Sequence, residues 1–147
     1  MATISTEETT SHARIVEGVS AWPGIESGVH RFGATEFTVD GRGIGHVHEG
    51  RVLDVNFPKR VKDALIAEGS TNEHRFAGGG WTSLYLDSEA DLGRSIRLLR
   101  ISYLYTVLTM RRRPAGREIL EGLDLDAELE SLGLSGELRA AFDRIRP

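Results

Sequence analysis

The stretch from Glu36 to Phe57 leaves this chain the least freedom, because its apolar residues recur at every second position, as they do where side chains alternate between the two faces of a strand. Phe37 and Val39 alternate with Glu36 and Thr38, and Asp40-Gly41 follows as a type I′ hairpin signal. Residues 44–48 read as the return strand. Glu49-Gly50 is a second tight-turn signal, after which Leu53, Val55 and Phe57 alternate with Asp54 and Asn56. The spacing predicts a three-strand antiparallel meander, with the switch to period two beginning near His30.

Helical spacing flanks the meander. Ser5 and Glu8 have the capping-box separation, and Ile15, Val19 and Trp22 recur at helical intervals until Pro23, which predicts a helix over 6–21. Pro58 as N1 residue, Val61, Leu65 and Ile66 on one face and Gly69 as C′ residue predict a short helix crossing the sheet. Gly78-Gly79-Gly80 leads into a further strand over 81–86. Ser88 caps the longest helix, whose stripe is Leu92, Ile96, Leu99, Tyr103 and Val107, with Arg94, Arg97 and Arg100 on the polar side. Beyond Pro114 two short helical stretches are expected. The expected architecture is α+β: an antiparallel sheet, the meander plus at least one more strand, packed against helices over 1–110. A helical extension, 111–147, docks on the same domain.

Composition narrows the function. The 147 residues suit one hydrophobic core, and the absence of cysteine excludes disulfides, thiolate zinc sites and cysteine nucleophiles. A net charge of −4 argues against a protein that grips nucleic acid through phosphates, and Arg111-Arg112-Arg113 reads as helix-end charge. Residues 1–11 show no leader character and no apolar run is long enough to cross a bilayer, so a cytoplasmic protein is expected, without nucleic-acid or membrane partners.

Chemistry concentrates on His46 and His48. Strand alternation places both on one face, about 7 Å apart. With a two-residue turn at Asp40-Gly41, His46 falls opposite Thr35 and His48 opposite Gly33, on the face of Phe37, Val39, Leu53 and Val55. The pair then sits at the polar end of an apolar floor, where imidazoles are suited to acid–base work; the alternative is two structural histidines. For a metal, His30 or His74 offers a third nitrogen, but Glu49 points to the other face and no carboxylate has a diagnostic spacing. No cofactor is expected, and a metal at His46 and His48 is not favoured. Gly41-Arg42-Gly43-Ile44-Gly45 precedes a strand rather than a helix and is a hairpin, not a phosphate loop.

Taken in order, Glu36-Phe37, Gly45-His46-Val47-His48, Leu53-Asp54-Val55, His74, Trp81-Thr82-Ser83-Leu84-Tyr85 and the helix reaching Ser102-Tyr103 resemble the luciferase-domain family. That family has bacterial members and includes the fungal luciferases. The resemblance spans roughly residues 22–105. More distantly, the order of elements resembles the YjbR-like fold. In the fungal enzymes a hydroxylated pyrone reacts with dioxygen through a peroxidic intermediate, loses carbon dioxide and emits light. The resemblance implies an oxygenase-type pocket with His46, His48 and His74 as catalytic residues and Trp81 as a wall. Phe37, Tyr85 and His30 are further candidates for substrate contact.

The expected partners are an enolic or phenolic small molecule and dioxygen, with His46 or His48 as base and the second histidine or His74 as donor to the developing oxyanion. The sequence shows no counterpart of the fungal membrane segment, and its turn between His48 and Leu53 is shorter. Substrate identity is therefore not carried over. The competing expectation is a non-enzymatic binding module of YjbR-like shape.

Overall fold

The structure, a computed structural model, describes residues 11–29, 33–48 and 51–146. Its order is α1 (Ser11–Ser20), β1 (Ile25–Val29), β2 (Ala34–Val39), β3 (Arg42–His48), β4 (Val52–Asn56), α2 (Lys59–Ala67), β5 (Asn72–Glu73), β6 (Trp81–Tyr85), α3 (Glu89–Thr109), α4 (Pro114–Glu121), α5 (Leu125–Ser131) and α6 (Gly136–Asp143). The strands form one antiparallel sheet in the order β1-β2-β3-β4-β6-β5. The α+β class and the meander are as the sequence indicates. Residues 6–10 of the expected first helix lie outside the described residues, as do His30 and Glu49-Gly50.

Asp40 and Gly41 both take positive φ, as a type I′ turn requires, and Val39 pairs with Arg42. Two residues further along, the register shifts. Thr38 pairs with Gly43 but Phe37 pairs with Gly45, so Ile44 is an extra residue, a β-bulge. Ile44 is buried, and its carbonyl accepts a hydrogen bond from Ser102 Oγ of α3 at 2.7 Å. A Cβ on Gly45 would come within 2.7 Å of a Leu99 methyl, so the bulge brings backbone against the long helix where only glycine fits.

The bulge corrects the expected pairing. His46 lies opposite Glu36, not Thr35, and His48 opposite Ala34, not Gly33. The histidines therefore share a face with Asp54 and Ser83, while Phe37, Val39, Val47, Leu53 and Val55 are all buried on the other face. Phe37 is fully buried in the core and cannot touch a substrate held by the histidines; that candidate fails because the bulge moves the pair away from it. The apolar floor is the underside of the sheet, covered by helices.

The helices close that underside. Leu98, Leu99, Ile101, Tyr103, Leu104, Val107 and Leu108 of α3 are buried, a wider surface than the expected stripe because α3 lies between the sheet and the other helices. Arg97 and Arg100 are drawn inward rather than left in solvent. Arg97 Nε donates to Leu132 O at 2.8 Å, and Arg100 pairs with Glu128 at 2.8 Å while its guanidinium lies over Trp22 and Tyr103. Leu129, Leu138 and Phe142 of α5 and α6 join the same core.

Three helices, not two, follow Pro114, since Asp124 and Ser135 each cap a new one. Pro58 is the N-cap of α2 rather than its N1 residue. β1 and β5 were not expected: β1 is an edge strand with four of its five residues exposed, so it carries no alternation to read, and β5 has two residues. Among the described residues no helix is long and apolar enough to cross a membrane.

Candidate functional site

The sheet face turned away from the helices carries a polar cluster on its central strands. β3 contributes His46 and His48, β4 contributes Asp54 directly opposite His46, and β6 contributes Ser83 opposite Asp54. His74 continues past β5 along the same edge, its N–H donating to Trp81 O at 3.4 Å. All three sequence-derived histidines are thus brought together, and the residue that unites them is Asp54. Its Oδ2 lies 2.9 Å from His48 Nε2, 3.5 Å from His46 Nε2 and 3.4 Å from His74 Nε2, while its Oδ1 accepts from Ser83 Oγ at 2.6 Å.

Asp54 is buried, with 6 % of its surface exposed, so an unpartnered carboxylate here would be expensive. Burial pushes its carboxyl up. The His46 ring, the Ser83 hydroxyl, the electrostatic pull of His74 and the His48 hydrogen bond together outweigh that effect and hold it at about 2, so the group is an anion at neutral pH.

His74 differs from the other two. Its Nδ1 accepts the backbone N–H groups of Phe76 and Ala77 at 3.1 and 2.9 Å, which fixes the neutral ring as the tautomer with its proton on Nε2. His74 therefore presents an N–H toward Asp54.

Lys62 holds this segment from the far side. Nearly fully buried on α2, its Nζ reaches Gly79 O at 2.7 Å and Glu73 Oε1 at 2.6 Å, pinning the chain on both sides of His74. Gly80 is packed so closely on Phe57 that a Cβ would overlap its carbonyl, which secures the return into β6.

Aromatic rings frame the cluster. Trp81 meets His46 and His74 edge-on, with centroids 5.5 and 6.0 Å away, and the His46 and His48 rings are 4.8 Å apart and nearly perpendicular. A cavity of about 590 Å³ opens on the His48, Asp54 and His74 side of the cluster, lined also by Phe76, Ser83 and Tyr85. Trp81 and Tyr85 are on the site face as expected, with Tyr85 half-exposed at the cavity and Leu84 buried on the opposite face. His30 lies outside the described residues, and Phe37 belongs to the core.

Asp54, Ser83 and Lys62 are site residues that sequence reasoning did not single out. For Asp54 the signal was present: a charged residue between Leu53 and Val55 must face away from them. It could be joined to the histidines only once the bulge had moved them to that face. The ligand atoms of His46, His48 and Asp54 all lie within 4.8 Å of one another, a spacing that suits either shared hydrogen bonding or a bound cation.

Residues 41–102 match the model of the family described as Luciferase domain. No curated protein and no solved structure matches the chain.

Proposed function

We propose, from the match of residues 41–102 to the luciferase-domain family model, that the His–Asp cluster is the reaction centre of an oxygenase-type enzyme acting with dioxygen on an enolic or phenolic small molecule. The observation that carries this reading is the convergence of three imidazole nitrogens on one buried carboxylate oxygen, at 2.9–3.5 Å, beneath a cavity large enough for a bicyclic substrate. A purely structural histidine needs one partner. Three aimed at one atom form a preorganised polar centre.

The geometry supports a role for each residue. The acidic oxygen of the substrate meets the face made by His46, His48 and Asp54, where His46 or His48 takes its proton and the Asp54 carboxylate stabilises the imidazolium that results. That anion is electron-rich enough to form a carbon–oxygen bond with dioxygen. His74, held with its proton on Nε2, donates to the oxyanion that develops. Phe76 and Tyr85 on the cavity wall supply flat apolar surface for the substrate ring, and Trp81 packs against the His46 and His74 rings.

Oxygen consumption tests the reading. The protein with a panel of hydroxypyrones and polyphenols is expected to take up dioxygen with at least one of them. His48→Gln is expected to keep the fold and lower the rate by roughly 10²-fold or more. A protein that binds a panel member with no oxygen uptake is a binding module, and the enzymatic reading is then wrong.

A further inference from the structure

We propose that His46, His48 and Asp54 bind a divalent first-row metal ion through His46 Nε2, His48 Nε2 and Asp54 Oδ2. In the sequence no carboxylate stands at a diagnostic ligand spacing from the histidine pair; the folded sheet supplies Asp54. Metal–ligand bonds of about 2.1 Å set neighbouring donor atoms about 3.0 Å apart around an octahedral ion and about 3.4 Å apart around a tetrahedral one. Asp54 Oδ2 stands 2.9 Å from His48 Nε2 and 3.5 Å from His46 Nε2, and all three donor atoms fall within 4.8 Å of one another.

The support around these atoms fits a metal site. His46 and Asp54 face each other across paired central strands, so their separation is set by the backbone ladder rather than by loops. Ser83 Oγ donates to Asp54 Oδ1, which orients the carboxylate and leaves Oδ2 for the ion.

His74 is not a ligand. A neutral imidazole that binds a metal through Nε2 keeps its proton on Nδ1, and the His74 Nδ1 already accepts two backbone N–H groups. Its Nε2 proton faces the coordinating carboxylate instead, with Nε2 3.4 Å from Asp54 Oδ2. Two histidines and one carboxylate on one face, with the remaining positions turned to a cavity, form the ligand set by which non-haem ferrous iron meets dioxygen and substrate. Only the choice of iron rests on the oxygenase reading; the ligand geometry does not.

The test is metal binding by the full, untagged chain. After chelator treatment and removal of the chelator, the protein is titrated anaerobically with Fe²⁺, Mn²⁺ and Zn²⁺ by calorimetry, with elemental analysis of the recovered protein. At least one of these ions is expected to bind at one per chain. Asp54→Ala and His48→Ala are expected to weaken binding roughly 100-fold or more, and His74→Gln by no more than about 10-fold. Should Asp54→Ala fail to fold, His48→Ala carries the comparison, since its side chain is one-third exposed.

No saturable binding of any of the three ions overturns the proposal. So does binding that survives His48→Ala, or that His74→Gln removes as completely. Binding at one ion per chain without oxygen uptake keeps the metal site and removes the oxygenase reading. Full oxygen uptake by protein shown to be metal-free keeps that reading and overturns the metal site as its centre.

Discussion

Asp54 is the residue on which the site depends, and Ser83 is the residue that keeps Asp54 tolerable where it is. The carboxylate sits on a central strand, buried, with its second oxygen given to three imidazoles and its first to one hydroxyl at 2.6 Å. In Ser83→Ala, Oδ1 loses that donor, and an under-satisfied buried charge costs about 1–3 kcal/mol. The expected outcome is a lower Tm together with reduced oxygen uptake, measured by thermal melting and an oxygen electrode on the same preparation. An unchanged Tm would mean that Ser83 does not hold the carboxylate. Lys62 acts at longer range: it pins the chain on both sides of His74 through Gly79 and Glu73, so it is a positioning residue.

At the scale of elements, the bulge at Ile44 decides which face carries the chemistry. Gly45→Ala puts a methyl about where a Leu99 methyl already stands, at 2.7 Å, and within 3.2 Å of Val55. Relief comes from the Leu99 side chain yielding within the packed core or from β3 moving away from α3, at a cost of about 1–3 kcal/mol, and the second movement displaces His46. The variant is expected to unfold at lower denaturant concentration and to lose activity in what remains folded; full activity with wild-type stability would refute the packing argument.

This element also marks where sequence reasoning stopped. Alternation located the strands and the positive-φ preference of Asp40-Gly41 located the turn, but neither reports an extra residue, and one residue of slip exchanges the two faces of a strand. The pairing of His46 with His48 survived because it depends only on their spacing. Their company did not: Phe37 went to the core and Asp54 came to the site.

The cap of α3 at Ser88 was legible in the sequence. Asp91 accepts from the backbone N–H of Asp87 and of Ser88, at 2.9 and 3.0 Å, closing a capping box with Ser88. The hydrogen bond from Asp87, then that from Ser88, hold the Asp91 carboxyl below its ordinary 3.8 despite partial burial. A depressed folded-state value stabilises the fold at pH above the unfolded value, and the contribution is lost as pH falls through the folded one. Acid denaturation is therefore expected to begin at higher pH in the wild type than its remaining groups require, and Asp91→Asn to have a flatter stability profile below pH 4. Identical profiles would show that the cap does not titrate with folding.

As a whole molecule, the chain separates stability from chemistry by the two sides of one sheet. Helices cover one side, and their apolar residues, down to Leu138 and Phe142 of α6, form a continuous core with Phe37, Val47 and Leu53. The other side carries His46, His48, Asp54, Ser83 and Trp81, with His74 closing over it. Packing demands on the core therefore leave the polar face free to specialise, which suits a site built on rigid strands. The most direct test is a crystal structure of the protein with a hydroxypyrone or polyphenol bound under anaerobic conditions. The ligand is predicted to lie in the cavity bounded by Phe76 and Tyr85, its acidic oxygen against the His46–His48–Asp54 face and within hydrogen-bond reach of the His74 Nε2 proton. A ligand seated elsewhere on the molecule, with the His–Asp cluster untouched, would contradict the account.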